Sequence, residues 1–226
     1  MKVSVIMPVF NEEGTLETIV QQVLALPIDL ELLIVDDAST DGTAAILESC
    51  TDARIRTLRH ARNRGKGAAI RTAIAHVSGD AVVIQDGDLE YDPKQIPALL
   101  APIEQGRADV VYGSRFLGRA GPVHYFWHSL ANRWLTRLSN FLNNLHLTDM
   151  ETCYKCIRTD LLRSIPLRSD RFGFEPEITA KLARRKARFH EIPITYQARS
   201  YAEGKKIGVR DGLATIAAII RYRWSA

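Results

Sequence analysis

Long apolar runs, a cysteine framework, nucleotide-binding glycine fingerprints and low-complexity tracts are all missing from this 226-residue sequence. Each absence narrows its class. No stretch approaches the roughly 20 consecutive apolar residues of a membrane-spanning helix. The longest, Leu213–Ile220, is far too short. The apolar start Val3–Phe10 meets Asn11-Glu12-Glu13 at once, unlike a secretory leader. Three cysteines are too few for a disulfide scaffold. Cys153 and Cys156 form a C-x-x-C, but structural zinc needs four ligands and only the distant Cys50 remains. A redox pair sits where a strand gives way to a helix, whereas Cys153–Ile157 reads as a strand. The thiols are therefore expected to be structural, and their odd number suits a reducing cytoplasm. No G-x-x-x-x-G-K-[ST] occurs, and no G-x-G-x-x-G follows the first strand, which argues against P-loop and dehydrogenase chemistry. Without repeats or linkers, one domain over 1–226 is expected.

What is present is an ordinary folded composition, 46% apolar and 25% charged. The net charge of +4 hides an asymmetry. Residues 181–226 hold eleven Lys/Arg against three Asp/Glu, so the first 180 residues are net acidic. Arg184, Arg185, Lys186 and Arg188 read as a solvated helix face. Arg199, Lys205, Lys206 and Arg210 flank a glycine in a loop, where cations attract phosphates or anionic lipid.

Residues 1–113 alternate strand and helix. Strands are expected at Val3–Met7, Glu31–Val35, Arg54–Leu58, Ala81–Ile84 and Asp109–Tyr112, with helices between them, which predicts a parallel sheet covered on both faces. Ligands of such sheets bind beyond the carboxyl ends of the strands. Four of these strands run directly into polar clusters: Asn11-Glu12-Glu13, Asp36-Asp37, Asp86-Gly87-Asp88 and Gly113-Ser114-Arg115. They should converge on one edge. Further on, Tyr125–Leu142 reads as a long helix whose Phe126, Trp127, Leu130, Trp134, Leu138 and Phe141 recur at helical spacing, expected to be a core face.

Asp86-Gly87-Asp88 is followed by Glu90. Oxygen ligands at alternate positions can hold Mg²⁺ or Mn²⁺ together with substrate phosphates, and the metal would stabilise charge on a diphosphate leaving group. The D-x-D phosphatases place their pair after the first strand, and sugar-nucleotide pyrophosphorylases place a glycine-rich loop there. Here the D-x-D follows the fourth strand, and Pro8-Val9-Phe10-Asn11-Glu12 follows the first.

The ordered set Pro8-x-Phe10-Asn11-Glu12, Val35-Asp36-Asp37-x-Ser39-x-Asp41-Gly42-Thr43, Asn63-x-Gly65-Lys66-Gly67 and Asp86-Gly87-Asp88 resembles the inverting GT-A glycosyltransferases. Gly113-Ser114-Arg115-Phe116 and Arg199-Ser200-Tyr201-x-Glu203-Gly204-Lys205 narrow the resemblance to the dolichyl-phosphate (polyprenyl-phosphate) mannose and glucose synthases, over nearly the whole chain. The resemblance implies an α/β GT-A fold, a doubly wound, mostly parallel sheet with a C-terminal helical extension. Residues 1–115 would form the nucleotide-sugar half and 116–226 the acceptor half, with the basic loop at 199–206. Pro8, Phe10, Glu12, Val35 and Asp37 would line the nucleoside pocket. Asp86, Gly87 and Asp88 would meet diphosphate and metal, with Glu90 a further ligand, and Arg115 would meet a phosphate. Arg199 and Lys205 would neutralise the leaving diphosphate. The implied partners are a nucleotide diphosphate sugar (GDP-mannose or a UDP-sugar) and a polyprenyl phosphate. Nucleic acid is not among them. The family's basic pair is replaced here by His124 and His128.

Two alternatives stand beside this reading: transfer to a saccharide or other hydroxyl, and a nucleotide-sugar-binding module without turnover. Glu175 and Glu177 begin a helix, where negative charge is favoured, and would be candidate bases only for a hydroxyl acceptor. The expected location is cytoplasmic, peripheral on the membrane face or beside a membrane partner chain. The last helix carries Val209, Leu213, Ile216, Ala217, Ile220 and Trp224 on one stripe, which fits an interfacial helix as well as a core face.

Overall fold

The computed structural model describes residues 1–118, 126–171, 173–198 and 209–224. Its strands are β1 (Val3–Val9), β2 (Leu30–Asp36), β3 (Ile55–Arg59), β4 (Ala81–Ile84), β5 (Val110–Ser114), β6 (Lys155–Arg158) and β7 (Phe189–Pro193). Its helices are α1 (Leu16–Leu24), α2 (Thr43–Ser49), α3 (Lys66–Ile74), α4 (Ile96–Glu104), α5 (Phe126–Asn143), α6 (Thr159–Arg163), α7 (Phe174–Arg184) and α8 (Val209–Trp224).

The strands form one sheet in the order β3-β2-β1-β4-β6-β5-β7. β6 runs antiparallel to both of its neighbours, and the other pairings are parallel. β4 and β5 are buried at every position and β1 and β2 at nearly every one, so both faces of the sheet are covered. That explains strands read as continuous apolar runs rather than alternating ones. A single core cluster takes in residues from all seven strands except the edge strands β3 and β7, whose apolar residues pack against it partly buried. The sheet mixes strands from both halves of the chain.

The order 3-2-1-4 places a topological switch between β1 and β4. The chain winds one way from β1 and resumes on its other side, opening a crevice at the carboxyl ends of these two strands. Phe10–Glu13 leave β1 there, and Asp86–Asp88 leave β4.

The long helix corrects one expectation. Phe126, Trp127, Trp134 and Phe141 of α5 are exposed, the last at 84%, and do not face the core, whereas Leu138 packs partly buried against it. The buried positions of α5 are Thr136 and Ser139, because Thr136 donates to Asn132 and accepts the backbone N–H of Met150. In α8 the buried residues are Thr215, Ala218, Ile219 and Tyr222, so the stripe Leu213, Ile216, Ala217, Ile220, Trp224 faces outward. Cys153 and Cys156 are buried free thiols, as expected.

Candidate active site

The loops after β1 and β2 are laced together. The backbone N–H groups of Asn11, Glu12 and Glu13 donate to Ser39 Oγ, Thr43 Oγ1 and Asp41 Oδ2 at 3.0, 2.9 and 3.2 Å. In return, Thr40 N donates to Asn11 Oδ1 at 2.8 Å and Gly42 N to Glu13 Oε2 at 2.6 Å. Asn11 and Ala38 take positive φ, 56° and 63°, an uncommon conformation that costs energy and persists where surrounding bonds over-determine it. Most of these polar residues therefore build the crevice wall. Glu12 is among them, since its Oε2 accepts Thr15 Oγ1, which lies 3.0 Å from Gly87 O.

A cleft of about 750 Å³ opens beside that wall, lined by Phe10, Ala38, Ser39, Thr40 and Arg59–Asn63. Of the expected nucleoside-pocket residues, Phe10 lines it. Val35 is fully buried, and Pro8 and Glu12 are not in the lining. Asp37 is also buried, and its carboxylate is consumed: Oδ1 lies 2.6 Å from His60 Nδ1, and Oδ2 accepts Gly65 N at 2.6 Å and Arg64 N at 3.1 Å. Asp37 thus ties the loop after β3 to the end of β2. Arg59–Arg62, which carry no sequence motif, and Asn63, which opens the Asn63-x-Gly65-Lys66-Gly67 motif, supply the cleft's cationic and amide groups. A polar run after the third strand was the available signal.

At the end of β4, Gly87 has no room for a side chain, because a Cβ would lie 2.7 Å from Val9 Cγ1. Asp86 Oδ1 pairs with Lys66 Nζ at 2.7 Å, and Lys66 reaches Glu175 Oε1 at 3.7 Å. Burial disfavours a charge on Lys66, yet Asp86 and Glu175 outweigh it and raise its pKa well above the usual lysine value. Asp88 Oδ1 accepts Glu90 N at 3.0 Å, while Glu90 Oε2 accepts the Tyr196 hydroxyl at 2.6 Å. The three expected metal carboxylates are therefore not drawn together, and no group of three such ligands occurs among the described residues. What Asp86 and Asp88 offer is hard oxygen donors. These suit a Mg²⁺ or Mn²⁺ ion that completes its shell with substrate phosphate oxygens and water.

Arg115 stands across the crevice. Its Nε and Nη2 grip Asp149 Oδ2 and Oδ1 at 2.7 and 2.8 Å, and its backbone N–H adds a third bond at 3.0 Å. Asp149 is fully buried and also accepts Asn132 Nδ2 from α5 at 3.3 Å. Burial would raise the Asp149 pKa, but the Arg115 charge and hydrogen bonds lower it below the ordinary aspartate range. Glu191 of β7 fixes the same loop by accepting the N–H groups of Thr148 and Asp149 at 2.9 and 3.1 Å. The fork uses Arg115 Nε and Nη2, and the guanidinium carbon lies 5.1 Å from the centre of the Tyr196 ring.

Arg199 and Lys205 lie outside the described residues, as does His124. The stem of their loop is described. Tyr196 bridges to Tyr91, and Gln197 N donates to Glu90 O at 2.9 Å, so the chain enters that loop pinned beside the D-x-D. Glu177 leaves the list of candidate bases, because it is fully buried and accepts Arg168 N, Ser169 N and Lys181 Nζ.

Residues 4–165 match the family described as Glycosyl transferase family 2. This chain belongs to that family. Among curated relatives, it is 30% identical to the undecaprenyl-phosphate mannosyltransferase of Micrococcus luteus, covering 99% of this chain and 94% of that protein. It is also 30% identical to the undecaprenyl-phosphate 4-deoxy-4-formamido-L-arabinose transferase of an Enterobacter species, over 90% of this chain but only 62% of that longer protein. Its fold is that of solved GT-A structures. One is the glucosyl-3-phosphoglycerate synthase of Mycobacterium tuberculosis in complex with Mn²⁺, uridine diphosphate and phosphoglyceric acid (TM-score 0.76, 22% identity, 99% of this chain and 78% of that one). Another is the mannosyl-3-phosphoglycerate synthase of Rubrobacter xylanophilus (TM-score 0.74, 20% identity, 99% of this chain and 73% of that one). The protein is a glycosyltransferase.

Proposed function

We propose that this glycosyltransferase moves a hexose, with inversion, from a nucleotide diphosphate sugar such as GDP-mannose or a UDP-sugar to a polyprenyl phosphate. The observation that carries the reading is the pairing across one crevice. The carboxylates of Asp86 and Asp88 stand at the end of β4, and the Asp149-braced guanidinium of Arg115 stands at the end of β5. The first suits a donor diphosphate with its cation, the second an acceptor phosphate. The nucleoside would occupy the cleft against Phe10 and Arg59–Asn63. An acceptor phosphate is already anionic and needs no general base. This agrees with the commitment of Glu177 to structural bonds.

Asp86 and Asp88 would hold Mg²⁺ or Mn²⁺, and the ion would offset charge growing on the departing diphosphate. Arg115 would orient the attacking phosphate, which makes the reacting atoms neighbours before the step begins. Arg199 and Lys205 would add positive charge at the leaving group. The described residues contain no helix long and apolar enough to cross a membrane. The outward aromatics of α5 and the outward stripe of α8, with Arg133, Arg137 and Arg221 exposed among them, form the surface on which we place a membrane.

The test offers radiolabelled donors with Mn²⁺ to the protein together with undecaprenyl phosphate in anionic liposomes, and separately with free sugars. Label should enter the organic phase, and liposome binding should weaken with salt. Transfer only to a free sugar hydroxyl would overturn the acceptor assignment and leave Glu175 as the base to test.

A further inference from the structure

Arg59 ends the edge strand β3 and lines the cleft assigned above to the nucleoside. Its backbone pairs with Asp36, the last residue of β2, and Asp36 pairs with Val9, the last of β1. Three strand ends are therefore level beside the cleft. The Arg59 side chain is held too. Nε lies 3.1 Å from Oδ2 of the buried Asp36, and Nη2 donates to Ser39 O at 3.3 Å. Asp36 Oδ1 accepts Ser39 N at 2.8 Å, so carboxylate, loop and guanidinium brace one another. These contacts occupy the Nε side of the group. The side chain is still 54% exposed, and a guanidinium fixed along one edge presents its Nη1–Nη2 edge as two parallel N–H donors. Among the described residues no carboxylate lines the cleft, because Asp36 and Asp37 are buried behind it and taken up by protein donors.

The sheet order decides which end of a nucleotide meets Arg59. β3 stands three places from β4, roughly 14 Å at about 4.8 Å per strand. A diphosphate at Asp86 and Asp88 therefore brings the base, not a phosphate, to the β3 end. Bases differ in what they offer two parallel donors. Guanine places the acceptors N7 and O6 side by side, the pair that arginine most often grips, whereas adenine sets an amino donor beside N7. Uracil separates its two carbonyls by an N–H. Cytosine has adjacent acceptors, but one of them sits against the ribose, away from the edge strand.

We propose that Arg59 selects guanine, its Nη1 and Nη2 donating to O6 and N7, so that the donor is a GDP-sugar. This rests on the donor reading above and deepens it by choosing the base.

Calorimetry with Mn²⁺ compares GDP, 7-deaza-GDP, IDP, UDP and CDP. The wild type should bind GDP at least about tenfold more tightly than UDP or CDP, the discrimination of one bidentate pair. IDP keeps N7 and O6 and should stay within about threefold of GDP, while 7-deaza-GDP lacks the N7 acceptor and should bind about tenfold more weakly. Arg59→Met and Arg59→Lys should each weaken GDP about tenfold and leave UDP and CDP within about twofold, since an ammonium keeps the charge but not the planar fork. A wild type that prefers UDP or CDP, or that does not distinguish GDP from 7-deaza-GDP, overturns the assignment. So does equal weakening of all five ligands by Arg59→Met, which marks a contact to ribose or phosphate. Full GDP affinity in Arg59→Lys does the same, marking a plain charge contact. The 7-deaza comparison is made on the wild type and stands whether or not the variants fold. Wild-type protein that binds none of the five ligands instead refutes the donor reading beneath it, and this contact with it.

Discussion

Replacing Asp149 with alanine should destabilise the protein and disable Arg115 together. The side chain is fully buried and engages Arg115 through two guanidinium bonds and one backbone bond. Its removal leaves a guanidinium that is only 14% exposed facing the Phe116 and Tyr196 rings without a counter-charge. Breaking a buried pair by deleting one partner costs about 3–5 kcal/mol. Arg115 keeps some contact with water, so we expect the lower end, about 3 kcal/mol. For a domain of this size that lowers the melting midpoint by roughly 6–12 °C. Asp149→Asn keeps the shape and one acceptor and should lose about 1–2 kcal/mol. Urea titration of the single mutants and of Arg115→Met/Asp149→Leu closes a double-mutant cycle, and the double mutant should be markedly more stable than the sum of the singles predicts. The pH dependence has a fixed sign. The Asp149 pKa is lowered by folding, so its contribution is complete above the ordinary aspartate value and disappears as pH falls through the lowered one. The gap between wild type and Asp149→Ala should therefore close in acid. A loss below about 1 kcal/mol at pH 7, or additive mutants, would refute the claim that this pair holds Arg115 in place.

Asp88→Asn should abolish transfer and weaken Mn²⁺-dependent donor binding with an unchanged melting curve; calorimetry that finds wild-type affinity would remove the metal role. Lys205→Ala should lower kcat more than it raises KM, because a cation aimed at a leaving group matters most in the transition state. A change confined to KM in steady-state kinetics would count against that role. For Glu31, burial alone would raise the pKa, but bonds from Ser4 and Ser78 and the Lys2 charge bring it down to about 2. Stability from this group is present above about pH 4.5 and lost as pH falls toward 2, so Glu31→Gln should flatten the acid limb of a melting-temperature profile.

The sequence by itself determined the sheet and its site edge. Apolar runs such as Val3–Val9 and Ala81–Ile84 are long enough to fill buried strands, and the polar residues that end them must stand at one margin whatever the rest of the chain does. That placed Phe10, Asp86, Asp88 and Arg115 around one crevice before any contact was known. Tertiary structure decided what each polar group is free to do, since hydrogen bonding depends on neighbours far along the chain. Asp37 reads as a ligand for a nucleoside, yet His60 and the Arg64–Gly65 backbone take its oxygens. Glu177 reads as a helix cap but anchors Arg168, Ser169 and Lys181. Asp149 and Glu151 carry no signal beyond a polar run before a strand, and only their packing separates a paired carboxylate from an orphaned one. The apolar stripe of α5 has the spacing of a core face. Phe126, Trp127, Trp134 and Phe141 point outward while Leu138 packs partly buried against the core, because periodicity fixes that a helix has a face and only its packing partners fix where each residue points.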